Sequence, residues 1–140
     1  MQAGVNGASK RVAPVAGLAA MVLVIWLLAV VPAAALPANR LRITIPSPAR
    51  AGSTYDVVIT GSASGPATAY LFVDYAGCAR SPAAERRRSR TRPESYRVSG
   101  AFAEVSGWRS SSTAVDHACG YLVGAGGHLL ASARRAYRVG

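Results

Sequence analysis

The sequence predicts an all-β fold, a single β-sandwich of about seven strands preceded by an N-terminal hydrophobic helix. Short apolar segments with alternating polar residues recur after residue 40. Glycine, proline and serine punctuate these segments at regular intervals, and no helical periodicity appears after residue 35. Packing two sheets together is the usual way to bury such a set of strands, and the immunoglobulin-like sandwich is its commonest form.

Residues 1–35 are interpreted as a signal peptide or a signal anchor. Lys10 and Arg11 precede a stretch, residues 15–31, that carries no charge, and three alanines ending at Ala35 follow it. Small residues in that place predict signal-peptidase cleavage after Ala35. The alternative is an uncleaved anchor, because an uncharged stretch of this length approaches what a membrane-spanning helix needs.

Both interpretations place the rest of the chain outside the membrane, so the predicted location is secreted or on the extracellular face of the cell membrane. Membrane contact is expected only through residues 15–31, and only if they are not cleaved off. Residues 36–40 form a short linker, and residues 41–140 form the predicted domain. In an oxidising compartment the two cysteines, Cys78 and Cys119, predict one disulfide, which we expect to hold the apolar interior of the sandwich closed. Closing that loop contributes about 4 kcal/mol in the chain-entropy model.

The first half of the domain contains three predicted strands. Residues 41–45 alternate as an edge strand does, and residues 55–60 are rich in β-branched side chains. The composition of residues 62–66 is that of a turn, and residues 69–75 form the most apolar strand, which is expected to be central.

The second half supplies the remaining strands. Residues 95–99 and 101–105 are separated by Gly100, which is expected at a bulge or bend. The serine-rich residues 107–113 predict a loop whose Trp108 folds back onto apolar surface. A hairpin ends the domain, with one strand through Cys119, a glycine turn, and a second strand that reaches residue 139.

Residues 80–92, which we call the basic segment, hold six arginines, one acid and no large apolar residue, and we expect an exposed loop there. Binding by charge would suit an anionic cell-wall polymer, an acidic lipid or a protein partner. Nucleic acid is not expected as a ligand, because no aromatic residue is interleaved with the arginines. The predicted extracellular location also argues against it. The alternative is a solvated, mobile loop without a dedicated ligand. The candidate anion-binding residues are Arg80, Arg86, Arg87, Arg88, Arg90 and Arg92.

The sequence does not predict an enzyme, and no catalytic residue, metal site or cofactor is expected. The segment around His117 and Cys119 superficially resembles the cysteine-nucleophile segment of L,D-transpeptidases, but a nucleophile needs a free thiolate and Cys119 is expected in a disulfide. Asp74, Asp116 and His128 are further potential metal ligands, but the tight spacing of a zinc site is missing.

The chain resembles the small exported immunoglobulin-like domains found singly in high-GC Gram-positive bacteria. The resemblance rests on the strand and turn at residues 51–61, on Cys78 just after the third strand, and on residues 119–122 before the last strand. It implies this fold and an extracellular location, and it implies no activity. Antibody-type domains have a tryptophan on the third strand, where this chain has Leu71, Phe72 and Val73. They also have a tyrosine two residues before the second cysteine, where this chain has His117.

The expected function is therefore that of a non-catalytic exported binding or structural module at the cell envelope. One alternative is the outward-facing domain of a single-pass membrane-anchored protein. A further alternative is a small secreted enzyme or inhibitor whose site leaves no signal in the sequence.

Overall fold

The computed structural model describes residues 38–140. The predicted signal peptide or anchor, its cleavage site at Ala35 and the apolar stretch 15–31 therefore lie outside the described residues. Within residues 38–140, no helix combines the length and the apolar character needed to cross a membrane.

The described part of the chain is mostly β, which confirms the predicted class. Its five strands form one antiparallel sheet in the order β1-β2-β4-β5, and β3 pairs with the other edge of β2. One short helix lies between β2 and β3. The elements are β1 (Arg40–Thr44), β2 (Thr54–Asp74), α1 (Pro82–Arg88), β3 (Glu94–Arg109), β4 (Val115–Gly124) and β5 (Leu129–Arg138).

Five strands in the described residues replace the seven predicted because two pairs of predicted strands are continuous. The turn predicted at residues 62–66 is an irregularity within β2, where the pairing with β3 shifts register between Ala63 and Ala67. Likewise β3 passes through Gly100, whose φ is +66°. A bulge adds residues to one strand and bends it without reversing the chain, so turn-like composition here produces a bend.

The bend in β2 lets one strand serve both halves of a curled sheet. Its first half pairs with β1 and its second half with β4, while β3 accompanies both halves. β1 also packs near β4 and β5, which closes the curl around the core in a sandwich-like way. The inner face of β2 consists of alternate residues that are all buried: Tyr55, Val57, Ile59, Ala63, Ala67, Ala69, Leu71 and Val73.

A second, smaller apolar cluster lies on the outer face of the sheet. Phe72 of β2 and Cys119 and Tyr121 of β4 are buried there, and Cys78 packs against them. The predicted disulfide between Cys78 and Cys119 is present, with a Cα–Cα distance of 5.5 Å. It joins the connection after β2 to the outer face of the sheet, whereas we expected it to hold the apolar interior closed.

Candidate functional site

The basic segment contains the helix α1 with irregular residues on either side, which corrects the prediction of a loop throughout. α1 begins after Ser81, whose hydroxyl accepts a hydrogen bond from the backbone N–H of Ala84 at 3.2 Å. Pro82 occupies the first helical position, where its missing N–H costs nothing. The three arginines at positions 86–88 lie in the last turn, where positive charge is favourable. These capping signals are visible in the sequence, and the high arginine content had obscured them.

A buried carboxylate attaches α1 to the sheet. Glu85 has no exposed surface, and its Oε2 accepts hydrogen bonds from the backbone N–H of Ala79 at 2.5 Å and from the hydroxyl of Tyr121 at 2.8 Å. Arg88 completes the arrangement with a salt bridge to the same oxygen at 3.0 Å. A buried charge is tolerated when it is paired and hydrogen-bonded, as this one is. The Tyr121 hydroxyl also lies 2.7 Å from the carbonyl oxygen of Ala79, the residue after Cys78. Tyr121 therefore contacts both α1, through Glu85, and the backbone next to the disulfide.

The structure brings the predicted anion-binding residues onto one short stretch of surface, but they are not equivalent. The Arg88 guanidinium donates hydrogen bonds to the Glu85 carboxylate and to the carbonyl oxygens of Ala76 and Gly77. Arg86 lies over the ring of Tyr70, with its guanidinium carbon 4.7 Å from the ring centre. The remaining predicted residues are exposed to solvent, namely Arg80, Arg87, Arg90 and Arg92.

A cleft forms where the ends of four strand segments meet, and we call it the polar cleft. Tyr55 lies near the start of β2 and Asp74 at its end, so the curl brings together residues that are far apart along one strand. Trp108, near the end of β3, pairs with Tyr55, and Asp116 lies near the start of β4. The cleft has a volume of about 50 Å³.

Tyr55 and Asp116, which line the polar cleft, form a hydrogen-bonded group with Tyr137 of β5. The Tyr55 hydroxyl donates to Asp116 Oδ2 at 3.3 Å and lies 2.9 Å from the Tyr137 hydroxyl, which donates to it. Tyr137 is opposite Asp116 in the pairing of β4 with β5, and its ring meets that of Tyr55 edge to face at 5.7 Å. These contacts fix the orientation of the Asp116 carboxyl.

Burial raises the pKa of Asp116, and the nearby negative charge of Asp74 raises it further. The hydrogen bond from Tyr55 and the charge of His117 act in the opposite direction. Burial also raises the pKa of Tyr137, as does its hydrogen bond to Tyr55. Burial therefore makes ionisation of Asp116 and Tyr137 less favourable than it is in water.

A wider concavity, which we call the mouth, lies next to the polar cleft and reaches the basic segment. The mouth has a volume of about 420 Å³ and shares Asp74, Tyr75 and Thr91 with the cleft. Arg88 and Arg90 lie on its other side. Tyr75 is 56% exposed, so an aromatic ring is offered to solvent there.

Another concavity lies at the bend of β2 and has a volume of about 350 Å³. Pro66, Ala67 and Val98 line it, and Arg97 is its one ionisable residue among the described residues. It lacks the buried polar groups that converge in the polar cleft, so the cleft is the stronger candidate for specific binding.

The structure does not bring the residues considered for metal or nucleophilic chemistry together as one site, although Asp74 and Asp116 both line the polar cleft. Cys119 is in the disulfide, so it has no free thiol. Asp116 and His117 are neighbours on a strand and project to opposite faces, and His128 is exposed after the hairpin turn. Residues 38–140 contain no group of three or more histidine, cysteine, aspartate or glutamate side chains placed to hold a metal ion.

Sequence reasoning missed the polar cleft. Tyr55 is 4% exposed, and its partners Trp108, Asp116 and Tyr137 come from three other strands, which the sequence alone does not bring together. One signal was present: Asp116 occupies an inward position of an apolar strand, where an acid is unusual.

No protein-family model matches the sequence, and no curated protein matches it. Among solved structures, the chain is similar to a CARDB domain from Pyrococcus furiosus that was crystallised in complex with di-metal ions. The two share 7% sequence identity with a TM-score of 0.49, over 76% of this chain and 90% of that domain.

Proposed function

We propose that this chain is a non-catalytic, exported binding module that holds anionic polymer of the cell envelope through its basic segment. The observation that carries the proposal is the ordered display of arginine on a segment fixed at two points. The disulfide holds one end of the segment, and Glu85 holds the middle. Within this segment Glu85 is the one acid, and its charge is paired with Arg88, so the other arginines keep theirs for a ligand.

Order matters for affinity because binding costs less when the binding groups are already in place. Each long side chain that must be immobilised costs about 0.5–1.5 kcal/mol. The helix holds the backbone of the segment, and the ring of Tyr70 supports Arg86. A polymer with a repeating negative charge can contact several such arginines at once, which a single small anion cannot do.

The extracellular location is part of the proposal, and the disulfide supports it. Disulfides persist in oxidising compartments and are rare in the cytosol of mesophiles. The uncharged stretch 15–31 and the alanines up to Ala35 support export from the sequence side. Mass spectrometry of the mature protein tests this: a chain that starts at Leu36 is expected if the signal is cleaved.

We also infer that the curled sheet is a variant of the immunoglobulin-like sandwich. All pairing in the described residues is antiparallel, and the long strands β2 and β3 each run through both halves of the curl. Counting those two strands once in each half gives seven strand segments, which supports this inference.

The test of the binding proposal replaces Arg86, Arg87 and Arg90 with glutamine. Arg88 is left in place because its loss would leave Glu85 buried without its charge partner. An arginine near an anionic surface is worth about 1 kcal/mol, so the triple variant should bind isolated Gram-positive envelopes about 100-fold more weakly. Its binding should also depend less on salt than that of the wild type.

The matched control replaces Arg40, Arg42 and Arg50, which are exposed and lie on β1 or in the connection after it. It removes the same charge from another part of the surface and should bind nearly as the wild type does. Equal losses in both variants would show that net charge alone drives attachment, and no loss in the first would reject the proposal. Thermal denaturation of each variant checks that the fold is retained.

A further inference from the structure

Three buried polar atoms in residues that line the polar cleft have no hydrogen-bond partner among the described residues. They are Oδ2 of Asp74, Nε1 of Trp108 and Oδ1 of Asp116. The most deeply buried of these residues, Asp116, is 3% exposed. Buried polar groups in folded proteins are nearly always hydrogen-bonded, so three in one place point to a ligand that supplies the missing bonds.

The combination of donors and acceptors restricts that ligand. Two carboxylate oxygens accept hydrogen bonds, and one indole N–H donates. The ligand must therefore donate twice and accept once. A phosphate or sulfate group only accepts and would be repelled by two carboxylates, and an ammonium group only donates and would leave the indole N–H unpaired. Two adjacent hydroxyl groups supply two donors and an acceptor, which matches in number the unpaired atoms of Asp74, Trp108 and Asp116.

The dimensions fit a hydroxyl-bearing ring. The polar cleft, at about 50 Å³, has room for hydroxyl groups. The mouth, at about 420 Å³, lies within the range of pockets that hold small molecules. A sugar ring in the mouth would lie against the exposed ring of Tyr75 and direct two hydroxyls past Asp74. Arg90 would face a negative charge carried by the same sugar.

We propose that the polar cleft binds a vicinal diol of a saccharide residue, so that the anionic polymer held by the basic segment is an acidic polysaccharide. The identity of the polymer rests on the function proposed above, whereas the binding of a diol does not. The competing occupant is water, which can also donate twice and accept once.

The experiment titrates the full chain, in mild detergent with its disulfide intact, with three polymers. Polygalacturonate carries both charge and vicinal hydroxyls, dextran carries hydroxyls without charge, and polyphosphate carries charge without hydroxyls. Trp108→Phe keeps a ring and removes the N–H donor. Asp74→Asn keeps the oxygen that accepts from the Ala76 N–H at 3.2 Å and places a donor where the unpaired acceptor was.

Each of these two substitutions should weaken the binding of polygalacturonate and dextran about tenfold, since each removes a buried hydrogen bond. Neither should change the binding of polyphosphate. Asp56→Asn, at an exposed carboxylate on β2, should change none of the three. If dextran does not bind, or binds equally well to the Trp108→Phe and Asp74→Asn variants, the cleft holds water alone and the diol proposal is wrong.

The function proposed above fails in a different way. If replacing Arg86, Arg87 and Arg90 leaves polyphosphate binding unchanged, the basic segment does not bind anions. The diol proposal would then still be judged by dextran, which carries no charge.

Discussion

At the scale of single residues, Glu85 determines how the arginine-rich stretch can fold. Six arginines within thirteen residues repel each other, and a helix there has little apolar surface to bury. The Glu85 carboxylate neutralises Arg88 and accepts hydrogen bonds from two other groups, so the helix is fixed by polar contacts instead. The sequence analysis placed this acid in an exposed loop, because its three partners become neighbours only when the chain is folded.

Asp116 makes stability depend on pH in a direction opposite to that of most acids. Its pKa is raised above 3.8 in the folded chain, mainly by burial, so the folded chain holds the proton more tightly than the unfolded chain does. The free energy of unfolding should therefore fall as pH rises from 3.8 through the raised pKa. Tyr55, Asp74 and His117 act on this pKa, and Tyr137 lies opposite Asp116 in the pairing of β4 with β5.

Comparison with Asp116→Asn isolates this contribution, since asparagine does not titrate and can still accept the hydrogen bond from Tyr55. Chemical denaturation of both proteins between about pH 3 and pH 7 should show the wild type losing stability relative to the variant as pH rises. A difference that stays constant over this range would show that Asp116 has no raised pKa.

At the scale of elements, the sequence predicted where strands occur better than where they end. Residues 55–60 and 69–74 are strand, which agrees with the predicted segments except at residue 75, yet both belong to β2 because the residues between them bulge instead of turning. The residue types at Gly65 and Pro66 predict that the backbone leaves regular strand geometry there. Whether it turns or only bulges depends on β3, which bends alongside β2 and continues the pairing. That information lies in the partner strand.

Substitution of Gly61 tests whether the close approach of β1 to β2 requires glycine at this position. A Cβ there would lie well inside contact distance of the carbonyl oxygen of Arg40, and 2.8 Å from Cζ of Phe102. The backbone of β1 would have to move, so Gly61→Ala should lower the free energy of unfolding by about 1–3 kcal/mol. Urea denaturation measures the change.

Gly65→Ala is the matched control within the same strand. A Cβ there would meet no atom within 4 Å, and its φ is not in the left-handed region. Its effect should be neutral or slightly stabilising, by up to about 1 kcal/mol, since alanine restricts the unfolded chain. Similar losses at Gly61 and Gly65 would show that flexibility of β2, and not the approach of β1, requires glycine.

At the scale of the whole molecule, the two candidate binding features lie side by side because of the curl and the disulfide together. The curl brings Tyr55 and Asp74, nineteen positions apart, into one cleft, and the disulfide places the basic segment next to the mouth of that cleft. The sequence predicted the two cysteines as partners and the arginines as a surface feature. Their position relative to the cleft depends on which face of the sheet Cys119 occupies, and that follows only from pairing with β2 and β5.

The position of the disulfide predicts what its removal does. Because Cys78 and Cys119 join a surface connection to the outer face of the sheet, the double substitution Cys78→Ser with Cys119→Ala should release the basic segment first. Hydrogen exchange should show residues 79–92 losing protection while residues 57–63 of the inner core remain protected. Binding of polyphosphate should weaken as well, although every arginine remains, since the segment must then be ordered on binding. If residues 57–63 lose protection together with the basic segment, the disulfide holds the core closed after all, and the ordered display of arginine cannot be separated from the fold.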